Sequence, residues 1–246
     1  MTQLSTGIRY LAGASDLLVV APHGPKIDGQ FKNDMRTGII AEQLHRLTGC
    51  TALINDRFFK PAGDLTKSLP AFLLDLYRID HSAKVPGYLE TIRRVVDAGP
   101  NTLVLWVHGI AEPVALRQGQ EHLDQGLFDG PAGALDALIA FGQGPDPKTG
   151  RMADSLTARP ETVQRFAHAL TAAGMRAIAT RREAGNFRGR DAKRLNQWFN
   201  QQGYGLERVE SIQLEIREAG FRDSDANALK AAGIIATALS GLMERQ

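Results

Sequence analysis

Two histidines in this chain close apolar runs: His23 ends "DLLVVAPH" and His108 ends "NTLVLWVH". A carboxylate, Asp28, follows the first in "APHGPKID", and Asn55, Asp56 and Arg57 follow a third apolar run, "TALIND". A fourth, "VESIQLEIR", carries Glu215 and Arg217 at its end. Two imidazoles and a carboxylate suit a zinc ion with a fourth position open to water, the arrangement of catalytic rather than structural zinc. A further carboxylate such as Glu215 would take the proton from that water, and an arginine such as Arg57 or Arg217 would hold an anionic substrate through paired hydrogen bonds.

Such residues act together only if the elements carrying them end on one side of the molecule. "DLLVVAPH" and "NTLVLWVHG" are short continuous apolar runs, as expected of strands buried on both faces. Between them "MRTGIIAEQLHRLTG" has helical spacing and a terminal Gly, and "PGYLETIRRVVDAG" begins with Pro and ends with Gly, as helices do. "LDALIAFGQG" reads as a strand, "RPETVQRFAHALTAAG" as a helix, "MRAIATR" as a strand, and "DSDANALKAAGIIATALSGLMERQ" as a closing helix with acidic residues at its start. "VESIQLEIR" alternates, with Val209, Ser211, Gln213 and Glu215 on one side and Glu210, Ile212, Leu214 and Ile216 on the other. Strands alternating with helices predict an α/β fold with a mixed, mostly parallel sheet and helices on both faces. In such sheets ligands bind at the carboxyl ends of the strands, where His23, Asp28, Arg57, His108 and Glu215 all fall.

Composition narrows the classes. The 246 residues, 43% hydrophobic, are enough for one large core and are most simply a single domain, 1–246, with the Gly-rich, weakly periodic stretch 114–134 as an insertion. The formal charge of +2 is spread along the chain, so neither nucleic acid nor membrane is expected as a partner. One cysteine, Cys50, excludes an internal disulfide and a cysteine-based zinc ribbon. That usage, with no apolar run of transmembrane length and no charged-then-apolar leader at the N-terminus, reads as cytoplasmic.

The same residues resemble a known family. "APHGPKID" resembles the "PHGG-x-IE" motif of poly-γ-glutamate hydrolases, and the order of motifs resembles the N-formylglutamate amidohydrolase group; both are related in fold to zinc carboxypeptidases. "LVLWVHG" is similar to the strand ending in "DLHS", "INDRFF" to a "DLNR-x-F" segment, and "VESIQLEIREAGFR" to "IQLEINR-x-LY". The likeness runs from about residue 17 to about residue 222, and implies one zinc per chain held by His23, Asp28 and His108. It also implies Glu215 as general base or acid and Arg57 as the substrate-carboxylate binder, in a hydrolase of N-acyl amino acids or short γ-glutamyl substrates. His81, ahead of the "PGYLETIRRVV" helix, resembles a cleft histidine of the amidohydrolases. The chain departs from the pattern in having Asp28 where those enzymes carry Glu, Pro25 for the second Gly, and Asp56 between Asn and Arg.

The basic segment 181–194 has two readings. In one, it is a substrate-facing loop in which Asn186 and Arg188 address a carboxylate or phosphate. In the other it is the binding surface of a nucleic-acid-binding α/β protein, which requires exposed aromatics beside the arginines; Phe187 and Trp198 are the candidates. A third possibility is a member of the hydrolase fold that binds its ligand without cleaving it.

Overall fold

In the computed structural model, residues 2–5, 7–23, 34–59, 72–110, 135–142, 156–179 and 193–243 are described. Eight strands among them form one sheet: β1 Thr2–Ser5, β2 Ile8–Leu11, β3 Leu17–Ala21, β4 Thr51–Asn55, β5 Thr102–Ile110, β6 Ala137–Ala140, β7 Ala177–Ala179 and β8 Val209–Arg217. The order across the sheet is β1-β2-β4-β3-β5-β8-β6-β7. β4, β3, β5 and β8 run parallel, as do β6 and β7, whereas β1, β2 and the β8–β6 pairing are antiparallel. The sheet is therefore mixed and mostly parallel, with helices on both faces, as the alternation of patterns predicts.

The helices are α1 Thr37–Thr48, α2 Ile79–Ser82, α3 Tyr88–Ala98, α4 Pro160–Ala172, α5 Leu195–Gln201 and α6 Asp225–Met243. α1 stops at Gly49, whose φ of 66° is left-handed and lets its N–H reach the His45 carbonyl. α4 starts on Pro160, where the missing N–H costs no helical bond. Helices α1, α4 and α6 cover one face with Ile40, Leu44, Val163, Phe166, Leu170, Ile235 and Leu239, against Leu17, Val19, Leu105, Val107, Ile212 and Leu214 of the sheet. Helices α3 and α5 cover the other with Tyr88, Ile92, Leu195 and Trp198, against Leu18, Val20, Val104 and Trp106. Among the described residues no helix is long and apolar enough to cross a membrane.

The hairpin β1–β2 was not legible in "TQLS" and "IRYL", which are only four residues each and show no alternation. They are strands because β2 pairs with β4 from Ile8↔Asn55 to Leu11↔Ala52, a non-local reason. Residues 114–134, expected to be an insertion, lie outside the described residues.

Candidate metal and catalytic site

A strand's side chains alternate between faces, so Trp106 and His108 of β5 share the α3–α5 face, as do Val209, Ser211, Gln213 and Glu215 of β8. Pairing places His108 directly beside Glu215. Along both strands the face passes from apolar residues, Val104 and Val209, to polar ones at the carboxyl end. His108 and Glu215 are nevertheless buried, with exposures of 2% and 6%. Ionisable groups this deep require partners.

His23 lies just beyond β3, and its place is fixed from the neighbouring strand. The Asn55 amide donates to the carbonyls of Pro22 and Phe58, while its oxygen accepts from the N–H groups of Arg57 and Phe58. This clamp ties the end of β4 to the residue before His23. Asp34 arrives ahead of α1 through a tight turn in which Arg36 has a φ of 64°, costly for a residue with a Cβ. That turn is held by Arg36 donating to Asp225 at 2.7 Å and to the Arg222 carbonyl at 2.9 Å.

Three ligand-type atoms converge at this point. Asp34 Oδ2 is 2.5 Å from His23 Nδ1 and 3.1 Å from His108 Nδ1, and the two Nδ1 atoms are 3.2 Å apart. Burial would lift the Asp34 carboxyl, but His23 and His108 outweigh it and hold it well below the usual carboxylate range. On its other side His23 Nε2 meets Asp75 Oδ1 at 3.1 Å. A carboxylate only accepts, so Asp34 and Asp75 can each take a proton from one nitrogen of the His23 ring; with a cation at Nδ1, Asp75 would accept from Nε2–H and the Nδ1 lone pair would face the ion. Two imidazole nitrogens and an anionic oxygen at mutual distances of 2.5–3.2 Å then need either shared protons or one cation between them. Ligand atoms on a tetrahedral zinc, each about 2.0–2.2 Å from the ion, stand about 3.3 Å apart. The 3.1 and 3.2 Å separations are close to this, while the 2.5 Å between Asp34 Oδ2 and His23 Nδ1 would have to open by about 0.8 Å around an ion; by donor type, His23, Asp34 and His108 form a possible metal site.

Asp75 is itself anchored: its Oδ1 accepts from the Tyr77 N–H at 3.0 Å and its Oδ2 from Arg194 at 2.6 Å. His81, expected in the cleft, stands one layer behind, where its Nδ1 accepts from the Asp75 N–H at 2.9 Å. Burial lowers the His81 pKa, consistent with a neutral ring accepting that bond. Arg222, 2% exposed, donates to the carbonyls of Ile216, Met35 and Ile110, just past Glu215, Asp34 and His108 in turn. Its guanidinium occupies the space a Cβ at residue 109 would take, which is why that residue is Gly109.

The expected substrate-binding residues are placed differently from one another. The Arg57 stem lies against Gly7 of the β1–β2 turn, with its guanidinium 5.8 Å from the Phe58 ring centroid. Arg217 is ion-paired with Asp136 at 2.9 Å beside the start of β6. Asp28, Asn186 and Arg188 lie outside the described residues. Of the basic segment, Arg194 is engaged with Asp75, and Trp198 is 4% exposed in the core. Trp198 therefore does not supply the exposed aromatic that the nucleic-acid reading needs. Asp34, Asp75, Tyr77, Gln213 and Arg222 were not singled out from sequence. The local signal at Asp34, an acid ahead of a helix, reads first as a cap.

No protein-family profile matches this sequence, and no curated protein matches it. Solved structures do. An N-formylglutamate amidohydrolase from Ralstonia eutropha JMP134 superposes with a TM-score of 0.55 at 14% identity over 97% of both chains. A bacteriophage poly-gamma-glutamate hydrolase gives 0.51 at 11% identity, over 98% of this chain and 91% of that one. A metallo-carboxypeptidase from Burkholderia cenocepacia gives 0.52 at 13% identity, with 96% of this chain spanning 60% of that protein. At these identities the likeness is one of fold: the chain has the α/β architecture that these hydrolases share.

Proposed function

We propose that this protein is a zinc-dependent hydrolase, with one ion per chain, that cleaves the amide bond of an N-acyl amino acid or short γ-glutamyl substrate. The observation carrying the proposal is the meeting of His23 Nδ1, His108 Nδ1 and Asp34 Oδ2 beside a buried Glu215. His23, His108 and Asp34 would hold the ion, Asp34 being the carboxylate whose oxygen lies against both imidazoles. When bound, zinc polarises a carbonyl and makes water a nucleophile near neutral pH.

The chain's own groups do the rest. Glu215 accepts the proton of the attacking water and returns it to the leaving amine nitrogen. With the ion bound, Asp75 would accept from His23 Nε2–H and leave Nδ1 to the metal. Arg57, with Asn186 and Arg188 of the 180s segment, receives the substrate carboxylate. Support for a hydrolase comes from the shared fold; support for an anionic substrate comes from the arginines that the sequence places after these strands.

Metal analysis together with a paired-substrate assay tests the reading. Protein purified without chelator is expected to carry about one zinc per chain, lost in a His23→Ala, His108→Ala double variant, as three ligands make a complete catalytic set. N-acyl amino acids with a free carboxylate are expected to be cleaved at least ~30-fold better in kcat/KM than their methyl esters, the scale of a lost charge pair of about 2–5 kcal/mol. Unchanged metal content in the double variant would remove these histidines from the site. Equal rates on acid and ester would remove carboxylate recognition.

A further inference from the structure

The turn that delivers Asp34 is built around a residue in an unfavourable conformation. Thr37 closes the turn, its N–H donating to the Asp34 carbonyl at 3.3 Å and its hydroxyl to the same oxygen at 2.9 Å. Arg36 takes the third position with φ 64° and ψ 7°, a left-handed conformation that turns ordinarily give to Gly or Asn. Among the described residues it is the one non-glycine with a positive φ. A residue persists there only when its surroundings hold it.

The hold comes from the segment leading into α6, as a two-way exchange. Arg36 Nε donates to Asp225 Oδ1 at 2.7 Å and its Nη1 to the Arg222 carbonyl at 2.9 Å. In return Arg222 Nη1 donates to the carbonyl of Met35, next to Asp34, at 2.6 Å. The same buried guanidinium reaches the Ile110 carbonyl at 3.2 Å through Nη2 and the Ile216 carbonyl at 2.9 Å through Nε. One rigid, planar group thus ties the Asp34 turn to β5 just past His108 and to β8 just past Glu215. All three of these bonds go to backbone oxygens, so they fix the course of the main chain.

Asp34 needs such a frame. Its Oδ2 lies between His23, which follows β3, and His108 of β5, while Asp34 itself belongs to neither strand. Thr37 relates the turn to His23, its hydroxyl standing 3.5 Å from the His23 carbonyl. Arg222 relates it to β5 and so to His108. We infer that Arg36 and Arg222 are positioning residues for Asp34, holding its turn against the end of β5 so that the carboxylate stands between the two imidazoles where an ion would bind. This assignment rests on the proposed metal site.

Two variants test it. Arg36→Asn suits a left-handed position better than arginine does but is too short to make both bonds to the α6 segment. Relieved strain then offsets the lost contacts, and the denaturant midpoint of the metal-free protein should stay close to that of the parent. Zinc affinity, read by competition with a chromophoric chelator where the protein is fully folded, should nevertheless fall about tenfold, the low end for groups that orient a ligand from outside. Arg222→Lys keeps the charge but cannot reach three carbonyls in one plane, and should weaken zinc further, by up to about 100-fold, with a lower midpoint as well. Unchanged zinc affinity in Arg36→Asn overturns the positioning role. A second readout needs no metal. With isotope-labelled histidine in the metal-free protein, the ring-nitrogen resonances of His108, assigned through His108→Gln, report its contact with Asp34, and should shift in Arg36→Asn in the direction seen in Asp34→Asn. Unmoved resonances overturn the inference. Shifted resonances in a protein whose parent binds no zinc uphold the positioning of Asp34 and overturn the proposed metal site instead.

Discussion

The two faces of the sheet are built on different terms, although the same strands supply both. On the face covered by α1, α4 and α6, β5 and β8 contribute Leu103, Leu105, Val107, Ile212, Leu214 and Ile216, apolar and nearly all at zero exposure, with one buried charge, Glu210, at the start of β8 ion-paired with Arg159 at 2.7 Å. On the face covered by α3 and α5, β8 contributes Ser211, Gln213 and Glu215, each buried and each bonded. Trp106 Nε1 donates to the Ser211 hydroxyl, which donates to Asn196, whose amide reaches Thr157. An apolar face gains free energy from every residue it buries, while a polar one at best recovers what desolvation removes. Both faces carry stability, the second through Leu18, Val20, Val104 and Trp106, but along β8 the second gives its burial to orienting polar groups.

Adjacent residues of β8 offer the largest break in this comparison. Leu214→Ala is expected to lower unfolding free energy by about 2–5 kcal/mol while leaving kcat of the folded fraction near that of the parent. Glu215→Gln should do the reverse, lowering kcat by about 10²-fold or more at nearly constant stability and metal content. Urea unfolding and steady-state kinetics on the metal-loaded protein measure both. A Leu214→Ala variant impaired in kcat but not in stability would erase the division between faces.

A sharper, smaller effect is expected one layer behind the ligands. Asp75→Asn removes the carboxylate that faces His23 Nε2, and such outer partners are worth about 10–100-fold in metal affinity. Competition with a chromophoric chelator would give the ratio; an unchanged affinity would mean that Asp34 and His108 suffice to orient His23. The smallest effect concerns pH. Burial lowers the folded-state pKa of His81 below its ordinary 6.5, so the unfolded chain takes up a proton first as pH falls. The contribution of His81 is complete above the unfolded pKa and is lost as pH drops through 6.5 toward the folded value. Denaturant midpoints at pH 7.5 and pH 5.5 should therefore separate further in the parent than in His81→Gln, which still accepts from the Asp75 N–H. An equal separation would place the sensitivity elsewhere.

Much of the polar face was foreshadowed by strand pattern. His23 and His108 were legible because each ends a continuous apolar run, and Glu215 because strict alternation on β8 puts it with Ser211 and Gln213 rather than with Ile212 and Leu214. Those are local properties: a strand's period of two and the position of its carboxyl end follow from backbone geometry alone. Asp34, Asp75, Tyr77 and Arg222 carry no comparable signal. Each acts across a gap in sequence, Asp75 on His23 from 52 residues away and Arg222 on Met35 from 187, so its role exists only once the chain has brought distant segments together. An aspartate in a loop looks the same whether it caps a helix, turns a chain or faces two imidazoles. The sequence determined which strands would end in reactive side chains and which face they would share; tertiary structure decided which carboxylates and which arginine would meet them, because hydrogen bonds and charge pairing depend on distance in space and not on position along the chain.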